Sequence, residues 1–263
     1  MVGPGMAALA DLVLPRTCAG CGVPGRALCR LCALLLARPR PAAPRRIPWG
    51  FPPTVAAGAY AGPVRPAVVA FKERGRSELA VPLGAALALA VAALVTAVPG
   101  SLPAVALVPV PSSREAVRSR GRDHVRELTA RAVTELLAAG VPAAEARLLR
   151  RRGRARDSAG LSTVQRRANL AGTFERSADP PTGALLVLVD DVVTTGATLT
   201  EAAAVLAAGG SEDGAPVLAA VVAATPRPDV AHRSGGRSTV VRKRSENVRG
   251  RPPDRLSRPG RRD

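Results

Sequence analysis

Branched apolar residues run from Leu185 to Val189 and stop at two adjacent acids, Asp190 and Asp191. A run of this length without polar alternation predicts a strand over residues 184–190, buried on both faces. Val192, Val193, Thr194, Thr195, Gly196, Ala197 and Thr198 follow, then a helical pattern over residues 199–208 and a second apolar run over 217–223. Strand, turn, helix and strand in this order predict a β-α-β unit and a mainly parallel sheet. Upstream, the apolar run from Val105 ends at Pro111, which restricts Val110 and places Ser112, Ser113 and Arg114 just beyond a second buried strand. Residues 115–139 carry Val125, Leu128, Val133, Leu136 and Leu137 at helical spacing, which predicts one amphipathic helix. Shorter patterns predict strands over 54–60 and 145–149 and a helix ending near Phe71, Lys72 and Gly75. Residues 79–98 are 20 consecutive positions without a formal charge, long enough to span a bilayer. Ala dominates the segment, and Pro82 and Gly84 interrupt its start, so a buried helix is expected and stable membrane insertion is not.

Two carboxylates at the end of a buried strand are costly unless a ligand, a cation or a hydrogen-bond network receives them. Gly196 permits a close approach or unusual backbone angles. The amides and hydroxyls around Thr194, Thr195 and Thr198 can face one anion-sized hollow. The N-terminus of the following helix adds positive potential, which favours a phosphate, and the segment reads as a site for a phosphorylated sugar. The plain alternative is an Asp pair that ends a strand before an ordinary turn. A Walker A loop is disfavoured because no Gly-Lys-Ser/Thr ending exists, and dinucleotide-loop glycine spacing is also absent.

The four cysteines form Cys18-X-X-Cys21 and Cys29-X-X-Cys32, separated by seven residues. Each pair can present two thiolates from one tight turn, and together they match a closed tetrahedral zinc site of the structural type. Disulfide or redox chemistry is the weaker reading, because the chain carries no convincing secretory leader and a cytoplasmic, reducing location is expected. The organisation expected is a zinc module at 14–37, a Pro- and Arg-rich linker at 38–53 with Trp49 as a candidate anchor, an α/β domain at 54–232 and a basic tail at 233–263.

The 263 residues suffice for such a domain with a small module attached. Aromatic residues make up 2% of the chain, so Ala, Val and Leu must form the core. The formal charge of +18 attracts any polyanion and cannot choose among nucleic acid, membrane and phosphorylated metabolite. The tail holds 11 basic and 3 acidic residues with little apolar periodicity, so it is expected to be disordered and to give weak, salt-sensitive contact with single-stranded DNA. Between Arg150 and Arg156 lies the most basic internal cluster, readable as a phosphate clamp, a nucleic-acid patch or a solvated surface. Lys72, one of two lysines, reads either as a ligand contact or as a solvated helix end. His124 has no acid partner visible in the sequence.

The segment from Asp190 to Thr198 resembles the phosphoribosyl-diphosphate motif of type I phosphoribosyltransferases. With the cysteine pairs, the Lys72-X-X-Gly75 element, Arg120-Gly121, and Arg166-X-X-Asn169-X-X-Gly172-X-Phe174, the chain from about Cys18 to Ala223 resembles the ComF family. The resemblance implies a type I phosphoribosyltransferase-like α/β fold with a mainly parallel sheet flanked by helices. It implies that Asp190 and Asp191 contact ribose hydroxyls, and that Val192, Val193, Thr194, Thr195, Gly196, Ala197 and Thr198 cradle the 5-phosphate. Val110, Pro111, Ser112, Lys72, Arg154 and Arg156 would attend the diphosphate, with Mg2+ bridging its oxygens. If there is catalysis, it is glycosyl transfer to an acceptor. The family's link to competence implies the alternative, a zinc-containing accessory protein in DNA uptake that acts through DNA or protein partners. Two departures stand out: Arg122 and Asp123 replace an aromatic-Asn pair, and Ser158 replaces Gln, which weakens acceptor recognition.

Overall fold

The computed structural model describes residues 16–98, 104–152, 172–208 and 216–226. The chain divides at Arg227/Pro228, and every described residue precedes that division. Arg154, Arg156, Ser158 and the tail at 233–263 lie outside the described residues, as do the first two residues of the expected zinc module.

Six strands form the main sheet: β1 (Arg40–Pro41), β2 (Thr54–Ala59), β3 (Val105–Pro109), β4 (Ala143–Glu145), β7 (Leu185–Val193) and β8 (Leu218–Ala224). Their spatial order is β1-β2-β8-β7-β3-β4, and only β1 runs antiparallel to its neighbour. A separate antiparallel pair joins β5 (Leu149–Arg151) to β6 (Phe174–Arg176). The helices are α1 (Arg30–Leu34), α2 (Val64–Glu73), α3 (Ala80–Thr96), α4 (Arg114–Arg120), α5 (His124–Ala138) and α6 (Ala197–Ala207).

Strand alternation divides the interior in two. From β7, Leu185, Val187 and Val189 face a cluster containing Phe71 of α2, Leu83 and Leu87 of α3, and Leu128 of α5. Leu186 and Leu188 face the opposite cluster, with Leu199 and Leu206 of α6 and Phe174 of β6. The sheet is thus covered on both faces, as its apolar, non-alternating strands require. α3 buries Leu83, Leu87, Val91, Leu94 and Val95. Among the described residues one helical stretch, Ser77–Thr96, is long and apolar enough to cross a membrane, and here it packs as a core helix against α5 and the sheet.

Several boundaries differ from the pattern-based expectation. The helix expected over 115–139 is two helices, because Gly121 takes φ 68° and ends α4 in the left-handed region. Asp123 then caps α5 by accepting from the Arg126 amide. The strand expected over 145–149 is the end of β4 and the start of β5, in different sheets, with Ala146 closing the first through its bond to Leu107 O. Within the linker, Arg40–Pro41 supplies the antiparallel edge strand.

The N-terminal module shares the main core rather than sitting beside it. Cys18, Leu28, Cys32 and Leu36 lie in the same cluster as Ala57 and Val64. A Cβ on Gly58 of β2 would come within 2.5 Å of Leu35 O, so only glycine lets the end of α1 lie flat on that strand. Arg76 ties the same region down by donating to Thr17 O.

Candidate functional site

β7 carries Asp190 and Asp191 at its C-terminal end, still within the strand. The two carboxylates differ in their partners. Asp191 shares the parity of Val187 and Val189 and enters the α2/α5 layer. Asp190 stands next to it, near the Asp191 carboxylate and within reach of the Lys72 and Arg151 charges.

Asp191 is 3% exposed and fully partnered. Its Oδ2 receives Lys72 Nζ at 2.7 Å and lies 3.0 Å from His124 Nε2, while its Oδ1 accepts from the Val192 amide at 2.7 Å. Burial opposes ionisation, but the His124 hydrogen bond and the Lys72 charge outweigh it and hold Asp191 well below the usual carboxylate range. Burial likewise presses against the Lys72 charge, and Asp191 more than compensates, raising the lysine. Asp190 is half-buried and has no cation within ion-pair distance among the described residues. Its Oδ1 accepts from the Asp191 amide, while burial and the adjacent Asp191 charge push it up to about 7. The dyad therefore holds one fixed anion and one carboxyl poised to give or take a proton near neutrality.

The surrounding helices fix this arrangement. Arg122 grips Glu127 through Nε at 2.8 Å and Nη2 at 2.6 Å, donates to Phe71 O at 2.8 Å, and lies 4.2 Å above the centre of the Phe71 ring. It thereby joins the C-terminal end of α2, which carries Lys72, to the first turn of α5, which carries His124. Arg120 adds a second link to α2 through both Glu73 oxygens. His124 Nδ1 is buried without a hydrogen-bond partner.

Val110, Pro111 and Ser112 emerge from β3 beside the dyad, because the Val110 amide donates to Val189 O at 2.9 Å. Ser112 Oγ donates to Asp123 Oδ1 at 3.1 Å, which ties this turn to the start of α5. On the other side of the dyad, Val192 and Val193 complete β7 and Thr194 and Thr195 are exposed. The amides of Thr194, Thr195 and Gly196 have no protein acceptor among the described residues. Gly196 adopts φ 74°, and Ala197 opens α6, two residues earlier than the pattern predicts, followed by Thr198. A strap from the linker covers this turn: a Cβ on Gly196 would meet the Phe51 ring at 2.7 Å and Pro44 at 3.0 Å. Trp49, expected to anchor the linker, is instead 100% exposed at the tip of the turn closed by Phe51 N to Pro48 O. Pro44, Pro48 and Phe51 do the anchoring.

The site therefore brings together Lys72, the Val110–Ser112 turn, Asp190, Asp191 and the Val192–Thr198 turn, all at the C-terminal edge of the parallel strands. Sequence reasoning missed His124's acid partner, Asp191, because the contact spans 67 residues of chain. It also gave no separate role to Arg151, whose charge is opposed by burial and supported by Asp190.

The four cysteines form a second centre. Their Sγ atoms all lie within 4.8 Å of one another, and a tetrahedral four-thiolate site needs separations of roughly 3.8 Å, so a small contraction lets the cluster hold a metal ion. Burial works against ionisation at Cys18, but backbone amides led by that of Cys29 hold its thiol at about 6. Cys32 is pushed well up, by burial first and by its neighbours. Compared with models of known protein families and with curated proteins, the chain matches none.

Proposed function

We propose that this chain is a ComF-like protein of the type I phosphoribosyltransferase-like class. It binds phosphoribosyl diphosphate, or a related phosphorylated ribose, at the edge formed by β3, β7 and α6. The observation that carries the reading is the pairing of one poised carboxyl, Asp190, with a turn that leads into α6 and whose amides at Thr194, Thr195 and Gly196 have no protein acceptor among the described residues. A sugar hydroxyl suits Asp190, because a group near neutrality both donates and accepts. Asp191 fixes the end of the strand through Lys72 and His124, and the turn takes the phosphate through its amides and the Thr194, Thr195 and Thr198 hydroxyls. The Val110–Ser112 turn faces the diphosphate. Mg2+ would enter with the diphosphate and offset its charge.

Transfer to an acceptor follows if a nucleophile reaches the ribose anomeric carbon while diphosphate departs, and no described residue identifies that acceptor. Zinc in the cysteine cluster would be structural, closing a module already packed into the main core. The location that suits both reduced thiolates and this ligand is the cytoplasm. An accessory role in DNA uptake, through DNA or protein partners, keeps the same fold and ligand without turnover.

The test is calorimetric titration of the full chain with magnesium phosphoribosyl diphosphate, ribose 5-phosphate and inorganic diphosphate. The reading predicts saturable binding of the first, weaker binding of the other two, and competition between them. No heat with any of the three would overturn it. Binding without diphosphate release across nucleobases and small amines would select the accessory role.

A further inference from the structure

The cysteine module holds α2 at both ends. At its start, the knuckle after Cys18 lies against Pro63, the residue that precedes the first turn: a Cβ on Gly20 would come within 2.8 Å of Pro63 O and 2.9 Å of Cys32 Sγ. Beyond its end, Gly75 takes φ 66° and the Arg74 and Arg76 amides both return to Ala70 O. The chain thereby turns back, and Arg76 Nη1 donates to Thr17 O at 2.9 Å, one residue before Cys18. Glu78 orients the same guanidinium by accepting from its Nε at 2.7 Å, and the Arg76 side chain is only 24% exposed, so water competes poorly for these bonds. Between the two ties, Val64, Val68 and Phe71 share one buried cluster with Cys18 and Cys32. The last turn of the helix serves the dyad. Lys72 reaches Asp191 Oδ2 at 2.7 Å, and Phe71 lies edge-on to His124, whose Nε2 is 3.0 Å from the same oxygen. Close-packed interiors transmit displacement instead of absorbing it, so whatever fixes the module fixes the placement of Lys72.

We propose that α2 couples the cysteine centre to the ligand site, with Arg76 as the positioning residue that carries the link. Zinc held by the four cysteines fixes the two knuckles relative to one another, keeps Lys72 on Asp191 and strengthens ligand binding at the dyad. The ligand strengthens zinc binding in return, because each must shift the affinity of the other by the same factor. The ligand half of this statement rests on the reading of the dyad as a site for phosphorylated ribose, whereas the link from the cysteines to α2 stands on the contacts alone.

The test compares the full chain loaded with zinc and stripped of it, the chelator dialysed away, by calorimetry with magnesium phosphoribosyl diphosphate and by amide hydrogen exchange. Zinc removal should weaken binding about 5- to 50-fold. Exchange should quicken over residues 70–76, while α6, on the opposite face of the sheet, keeps its protection. Saturating ligand should raise zinc affinity by the same factor in competition with a chromogenic chelator. Arg76→Met cuts the tie to Thr17 and leaves every cysteine in place, so it should keep full zinc occupancy, speed exchange over 70–76 and shrink the effect of zinc on ligand binding. Arg76→Lys should recover part of that loss, and Glu78→Gln, which keeps an acceptor for Arg76, should match wild type. Unchanged exchange over 70–76 on zinc removal, or Arg76→Met that matches wild type in exchange and in the zinc dependence of binding, would overturn the proposal. Equal loss of protection in α2 and α6 would overturn it too, as a general loss of stability. If the sugar diphosphate fails to bind the zinc-loaded chain, the ribose reading falls, and the exchange of α2 with and without zinc decides the link by itself.

Discussion

Replacing each member of the dyad by its amide should change stability in opposite directions, although the two residues are adjacent and the substitutions identical. Asp191→Asn removes the charge shared by Lys72 and His124. Breaking a buried pair from one side costs about 3–5 kcal/mol, and because the Lys72 side chain is 34% exposed and can recover some solvent, about 2–3 kcal/mol is expected. Asp190→Asn removes a carboxyl whose ionisation the fold resists. Moving that group from 3.8 to about 7 would correspond to about 4 kcal/mol if fully realised, and solvent screening of a partly exposed group reduces this to about 1–2 kcal/mol of stabilisation at pH 8. A raised acid contributes stability that is fully present below its ordinary value and lost as pH rises through its folded value. The gain from Asp190→Asn should therefore shrink between pH 8 and pH 5. Asp191, held low, stays ionised across that range, so the cost of Asp191→Asn should persist. Urea unfolding of both variants at the two pH values measures this. Equal destabilisation by the two, or a larger loss from Asp190→Asn at pH 8, would refute the division of the dyad into one paired anion and one carboxyl whose ionisation the fold resists.

Reduced protein should contain about one zinc per chain by metal analysis. Cys18→Ser and Cys32→Ser, both at buried positions, should lower occupancy and melting temperature more than Cys21→Ser, which is exposed. Gly58→Ala should cost about 1–3 kcal/mol in thermal or urea unfolding, because the new Cβ would meet backbone at Leu35 and not a yielding side chain. Single-stranded DNA should bind weakly and lose affinity steeply with salt, and deletion of residues 233–263 should remove most of it in a filter or anisotropy assay. Unchanged affinity after that deletion would shift the contact to the cysteine module or the Arg150–Arg156 cluster.

The parts legible in the sequence were those whose information is local. The apolar run before Asp190, the turn through Thr198 and the helix and strand that follow sit in one stretch of about forty residues, and their pattern needed no distant partner to interpret. The cysteine pairs were legible for the same reason. What was not legible depends on contacts across the chain. Two adjacent acids read alike in the sequence, and nothing local says that Lys72 and His124 pair with Asp191 alone. Gly121 read as part of a continuous helix because apolar spacing continues across it, and only its left-handed backbone divides α4 from α5. Trp49 reads as a candidate anchor of the linker, whereas Pro44, Pro48 and Phe51 fill the available apolar space.

The central claim is that a phosphorylated ribose sits between Asp190 and the Thr194–Thr198 turn, and the affinity of magnesium phosphoribosyl diphosphate for two variants tests it most directly. Thr195→Val removes one exposed hydroxyl with little change in shape, and Asp190→Asn removes the poised carboxyl without loss of fold. Each should weaken binding about 5- to 30-fold by calorimetry at pH 7.5, with melting temperatures no lower than wild type. Tight binding by wild type that neither substitution alters would contradict the account, because the ligand would then occupy some other part of the molecule.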